Sequence, residues 1–248
     1  MNRSAPLPLA TFLAILLLVG FAQAENVDEA ALLKKFDGTG IQVYRLEEKL
    51  YVSLHNKFGL PMEIAAEDLA LLAEVGPIET ILIGTEAQLT GDDYAFLAKL
   101  KSVNRLAISG YRGDCGALLR HVGRCPGLQS FSLFAMDLKV ADIAQLNDAA
   151  AITELSLCCK RLTPAHYSEV RNLKLPLESL LLSDFSSQGP SLNELSPLME
   201  LHNLKLLELR ANALSPEESA QVAEALPECD VRLSSNQWRE NFSRFERR

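Results

Sequence analysis

The sequence predicts an α/β fold: a right-handed curved solenoid with parallel strands on the concave face and helices on the convex face. Two observations carry this expectation. The form apolar-x-x-apolar-x-apolar recurs at Ile78/Ile81/Ile83, Val103/Leu106/Ile108, Leu128/Phe131/Leu133, Ile152/Leu155/Leu157, Leu177/Leu180/Leu182 and Leu204/Leu207/Leu209. Successive copies start 25, 25, 24, 25 and 27 residues apart, a period that marks stacked structural units. Each copy is also followed by a polar turn and a helix-spaced apolar set, such as Tyr94/Leu97/Leu100, Leu118/Leu119/Val122 or Tyr167/Val170/Leu173. A short strand and a helix of about ten residues cannot bury their shared apolar face alone, so neighbouring units must stack to close it. Parallel strands sit about 4.8 Å apart and packed helices 8–10 Å, which bends the stack with the strands inside.

Taken in order, the chain opens with a segment that stands apart from the fold. Arg3 precedes an apolar run over residues 9–21, and Ala22-Gln23-Ala24 supplies small residues before Glu25. That is the layout of a cleavable secretory signal over residues 1–24. The apolar run is too short for the roughly 20 residues that span a bilayer, so no stable membrane insertion is expected once the signal is removed. Residues 25–56 read as an N-terminal cap: a helix over 27–36, a turn at Asp37-Gly38-Thr39-Gly40, and a hairpin around Glu47-Glu48. The repeats fill residues 57–235, with degenerate strand copies at Val52/Leu54 and Val231/Leu233. Helix starts are marked by Thr163-Pro164 and Ser215-Pro216, and by the pairs Thr90/Asp93, Ser191/Glu194 and Ser215/Glu218. In residues 236–248, Trp238, Phe242 and Phe245 fall at helical spacing among four arginines, which suits a capping helix or a frayed tail.

The LxxLxL spacing, followed by helices such as the one from Leu89-Thr90-Gly91-Asp92 to Leu100, resembles the leucine-rich-repeat proteins, most of all their helical subclass with 24–27-residue repeats. The resemblance covers roughly residues 50–235 and implies a curved solenoid that binds a protein. The family's usual asparagine or cysteine, three positions after the last strand apolar residue, is present only as Asn212; Glu86, Tyr111, Met136, Lys160 and Phe185 take the other places. The cysteine-rich flanking caps usual in secreted animal and plant members are also missing. Within the resemblance, this implies an exported bacterial protein, periplasmic or extracellular.

Composition narrows the function. The chain has 248 residues, a net charge of −8 and a pI of about 5.1, so no basic field exists to attract nucleic acid. Five cysteines (Cys115, Cys125, Cys158, Cys159 and Cys229) are too few for a disulfide scaffold and read mostly as small buried hydrophobes. The histidines His55, His121, His166 and His202 join no second ligand at metal spacing, so neither a metal nor another cofactor is expected. No nucleophile elbow, phosphate loop or dinucleotide fingerprint occurs, and catalysis is not expected. Arg112-Gly113-Asp114, the tripeptide that integrins read, is taken as a turn between a strand and a helix.

Register places three residues of each strand on the open face. The expected partner-binding set is Leu82, Arg105, Phe134, Glu154, Leu181, Leu206, Glu208 and Arg210, set among small hydroxyl residues such as Ser130, Ser132, Ser156 and Ser179. Apolar anchors among polar neighbours suit a protein or peptide partner. Six strands present only about 450 Å², roughly half of a usual per-partner interface, so the turns around Tyr111-Arg112 and Phe185 are expected to contribute. The expected function is a non-enzymatic protein-binding module; the alternative is an envelope-organising protein that acts by self-association.

Overall fold

The computed structural model describes residues 33–55, 61–185, 190–210 and 214–234. The signal-like segment, most of the helix expected over 27–36, Asn212 and the arginine-rich tail lie outside them. The described chain is α/β, with one nine-stranded sheet whose strands follow in chain order and alternate with helices. Strands β1 (Gln42–Leu46) and β2 (Lys49–Leu54) pair antiparallel across the turn at Glu47-Glu48. Every later strand joins in parallel: β3 (Ile78–Ile83), β4 (Val103–Tyr111), β5 (Ser130–Ala135), β6 (Glu154–Cys159), β7 (Ser179–Asp184), β8 (Leu206–Arg210) and β9 (Asp230–Ser234).

The sequence repeat is also the pairing register. Val52, Ile81, Leu106, Phe131, Leu155, Leu180, Leu207 and Val231 form one continuous row across the sheet. Two residues on, Leu54, Ile83, Ile108, Leu133, Leu157, Leu182, Leu209 and Leu233 form a second. Alternation turns both rows to the same side, against the helices. From β2 to β8 no member is more than 4 % exposed. A one-residue slip would turn each strand's apolar set outward, so burial itself holds the register. At the strand entrances a backbone ladder ties successive units, through bonds such as Gln129 N to Asn104 O, Glu178 N to Thr153 O, Lys205 N to Glu178 O and Asp230 N to Lys205 O.

Among the described α-helices all but the last, which has ten residues, are shorter than expected. Helix α1 is Ala66–Leu71, α2 Cys115–Gly123, α3 Val140–Ile143, α4 Pro164–Arg171, α5 Leu192–Leu195 and α6 Pro216–Ala225. The segment Asp92–Lys99 is instead a 3-10 helix, and α3 runs on as 3-10 through Ala144–Asp148. In these two places apolar residues three apart are buried, Tyr94/Leu97/Leu100 and Ile143/Leu146/Ala149, with Phe96 buried beside the first set. Three residues per turn stacks i, i+3 and i+6 on one line, which a 3.6-residue turn does not. Helix α2 buries Cys115, Leu118, Leu119 and Val122, the i, i+3, i+4, i+7 set of an α-helix.

The helix starts use the residues the sequence marks. Ser215 and Glu218 satisfy each other's backbone N–H groups, at 3.1 and 2.9 Å. The Asp93 carboxylate accepts from Thr90 N at 2.7 Å, and Glu194 accepts from Ser191 N at 2.7 Å. Ahead of α4 the equivalent acceptor is a histidine: His166 Nδ1 accepts from Thr163 N at 3.1 Å. Its Nε2 lies 2.8 Å from the Leu138 carbonyl, which only accepts, so Nε2 is the donor of that bond. One ring thus caps its own helix and ties it to the turn of the preceding unit.

Strand β4 breaks the register once. Beyond Ile108, paired with Leu133, the next partners are Tyr111 and Ala135, so β4 carries one extra residue there. Gly110 sits in this bulge at φ +66°, and an added Cβ would meet Thr85 Cγ2 at 1.8 Å. The bulge turns Tyr111 into the core, edge-on to Tyr94 with ring centres 5.8 Å apart.

The β1–β2 turn holds two side-chain-bearing residues at positive φ, Glu47 at 47° and Glu48 at 64°. A two-residue turn of this hand prefers Asn-Gly, and a non-glycine residue in the left-handed region costs about 1 kcal/mol. The double substitution Glu47→Asn/Glu48→Gly is therefore expected to raise stability by about 1 kcal/mol, read as a higher urea midpoint at an unchanged slope. An unchanged midpoint would show that the turn is not strained.

Candidate functional site

The sheet side opposite the helices carries every residue of the expected binding set. Pairing arranges that side in three rows. The first runs Tyr51, Thr80, Arg105, Ser130, Glu154, Ser179, Leu206, Asp230. The second runs Ser53, Leu82, Ala107, Ser132, Ser156, Leu181, Glu208, Arg232. The third is shorter, from Phe134 through Cys158 and Ser183 to Arg210.

Burial separates these residues. Leu82, Arg105, Phe134, Glu154, Leu181, Leu206, Glu208 and Arg210 are all half-buried, so none of the apolar anchors stands fully exposed as the sequence suggests. Thr80, Ser156, Cys158 and Ser183 are buried outright. The small hydroxyls thus form a floor, and larger side chains stand over it.

The charges mostly answer one another. Glu208 Oε1 and Arg210 Nε lie 2.6 Å apart, and their side chains are only 15 % and 12 % exposed. Two residues expected as separate partner contacts are one ion pair, since they stand two apart on β8 and curl together. Arg105, 41 % exposed, reaches Glu79 at 4.0 Å, and Glu79 also meets Lys49 at 3.3 Å and Asn104 Nδ2 at 3.0 Å. Arg232 pairs with Asp230. With Glu208 and Arg210 paired to each other, the face offers a partner its apolar residues together with the partly exposed Arg105 and Glu154.

Phe134 and Phe185 meet edge to face with centres 5.3 Å apart, and Phe134 shares its row with Cys158 and Ser183. Phe185, expected as a turn contributor, thus sits beside an anchor of the face. Tyr111 carries the same expectation, and the structure corrects it: the residue is buried, and its hydroxyl donates to Asp114 O at 3.2 Å. Arg112-Gly113-Asp114 is a helix start, because Asp114 Oδ1 accepts from Gly116 N at 2.9 Å and Ala117 N at 3.4 Å to cap α2. Its carboxylate is committed to the chain's own backbone.

The cysteines are structural. All five are free thiols, and Cys115, Cys125, Cys158 and Cys159 are buried. Burial pushes the thiols of Cys115, Cys125 and Cys159 up to about 12 and that of Cys158 to about 11. Cys158 faces the hydroxyl floor and Cys159 the helices, where its Sγ donates to Arg161 O at 3.2 Å. Thiols held so far above neutral pH are poor nucleophiles.

One residue that sequence reasoning passes over is Asp184. It is buried at the end of β7, in a row with Ala135 and Cys159, and its Oδ2 accepts from Leu162 N at 2.9 Å in the turn of the preceding unit. The signal is there to read: an acid stands where β5 and β6 have Ala135 and Cys159. Among the described residues no cluster of His, Cys, Asp or Glu suits a metal, and no helix is long and apolar enough to cross a membrane. An open cleft of about 430 Å³ lies on the helix side between α5 and α6, lined by Leu192, Asn193, Met199, Gln221 and Glu224, and holds no set of groups for chemistry. Neither a protein-family model nor a curated protein matches this chain.

Asp184→Ala is expected to lower stability by about 2 kcal/mol in urea unfolding, since it strands a buried backbone N–H, and Asp184→Asn by less because its amide oxygen still accepts. Equal losses from both would show that the charge, rather than the accepted hydrogen bond, carries the effect. The raised thiols, with the Tyr111 hydroxyl pushed to about 12, predict a stability that is full below about pH 8.5 and falls as pH climbs toward 12. The unfolded chain releases those protons first, so the urea midpoint should drop between about pH 8.5 and 12. A flat midpoint would mean the thiols reach solvent.

Proposed function

We propose that this chain is an exported, right-handed curved solenoid of the leucine-rich-repeat type that works without catalysis, as a binding module for a protein or peptide. Its period of about 25 residues, one strand and one helical segment per period, and in-register parallel pairing support that architecture. The partner lies on the sheet side opposite the helices. The observation that carries this reading is the composition of that side: Leu82, Phe134, Leu181 and Leu206 are half-exposed over a hydroxyl floor, while the charges nearest them pair with one another. Apolar points in a polar setting, without a basic stripe, suit a protein surface better than a nucleic acid. Export rests on the signal-like residues 1–24.

Affinity capture from envelope and secreted fractions of the native host tests the reading, with residues 25–248 as bait beside a Phe134→Ser/Leu181→Glu variant of unchanged circular dichroism. A partner held by the wild type and weakened at least about tenfold in the variant is the expected result, as for loss of an apolar anchor. Equal capture by both baits would remove this face from the reading. Recovery of further copies of the chain alone, with a mass that grows with concentration, would favour the alternative of self-association.

A further inference from the structure

Glu154 is a carboxylate of the open sheet face that its own chain leaves unanswered. It stands half-buried in the first row on β6, between Ser130 on β5 and Ser179 on β7. Among the described residues its side chain makes neither an ion pair nor a hydrogen bond. The other carboxylates of these rows, Glu208 and Asp230, are held by Arg210 and Arg232. Arg105 shares the first row with Glu154 but stands two strands away, about 10 Å along it, and lies against Glu79.

Two half-buried leucines lie beside this carboxylate. Leu206 shares its row two strands on, and Leu181 stands in the next row on the adjoining strand β7. With strands about 4.8 Å apart and alternate residues about 6.6 Å apart, the three backbone positions lie within about 10 Å of one another. Only a small hydroxyl, Ser179, stands between Glu154 and Leu206 in the row. A partner that seats apolar groups alone on Leu181 and Leu206 takes Glu154 out of water without a counter-charge. A lone buried ion costs more than such contacts return. A basic side chain meets both needs, because its methylene stem lies along apolar surface while its charged head reaches the carboxylate.

We propose that the partner of this face presents a lysine or arginine, laid across Leu181 and Leu206 with its cation on Glu154. On the reading of this side as the binding surface, on which this assignment rests, the occupant is a peptide segment that pairs a basic residue with apolar ones. An acidic or wholly apolar segment is rejected at the same spot, by repulsion or by the stranded carboxylate. Because Glu154 is only partly covered, salt weakens the attraction.

A random peptide library displayed on phage and panned on the full chain supplies the probes. The expected binders are enriched in lysine or arginine. The tightest, made as a free peptide, should lose at least about fivefold in affinity on Glu154→Gln at unchanged circular dichroism. Replacing its basic residue with methionine should cost the same, and both changes together little more than either alone. Glu154→Lys should instead favour the same peptide with glutamate in place of the basic residue. A peptide weakened by Leu181→Ser/Leu206→Ser but indifferent to Glu154→Gln would overturn the proposal and leave the face as a binding surface. A library whose binders are indifferent to these variants and to Phe134→Ser, or that yields no binder, would overturn both readings.

Discussion

Parallel pairing in a single register is the constraint on which everything else in this molecule depends. A strand of five or six residues has too few backbone bonds and too little apolar surface to stand alone. Pairing at intervals of about 25 residues supplies both, because the shift that joins the N–H and C=O groups of β3 to those of β4 also sets Ile81 beside Leu106 and Ile83 beside Ile108. The same step repeats out to β9. Each unit is thus stabilised by its neighbours rather than by its own contents, and tolerance for varied turns and helices follows from it.

That tolerance is visible between the strands. The connecting segments are α-helix, 3-10 helix or a mixture, and they are started by several devices: a Ser–Glu box before α5 and α6, a threonine held by a histidine before α4, an aspartate cap before α2. His166 and Asp184 do more than cap, since each reaches back to the preceding turn, at Leu138 and Leu162. These two buried polar contacts tie turns together in a chain that lacks most of the asparagines expected there. A buried donor or acceptor left unpaired costs on the order of 1–3 kcal/mol, so such ties favour one arrangement of adjacent turns over others.

The face away from the helices is quieter than its charged residues suggest. Pairing within the chain consumes Glu208, Arg210, Arg105 and Glu79, and what stands out is the apolar set with the Phe134–Phe185 pair. The Glu208–Arg210 pair lowers the desolvation cost of covering that part of the face, because these two ions already have each other as partners. It also makes the face less selective by charge and leaves shape to discriminate.

The sequence by itself determined the repeat, the strand positions, the side each strand turns to the core, and most helix starts, because these depend on periodicity and local hydrogen bonding over a few residues. It did not separate 3-10 from α segments: Tyr94/Leu97/Leu100 and Tyr167/Val170/Leu173 share one spacing, yet the first set begins on a 3-10 helix and the second on α4. Only the tertiary structure decided the rest. Whether Glu208 and Arg210 pair, whether Tyr111 turns inward at the Gly110 bulge, and whether Asp184 meets Leu162 all depend on contacts or register between separate units. Spacing along one strand names which face a side chain takes; how far it is covered there depends on the side chains that neighbouring strands set beside it.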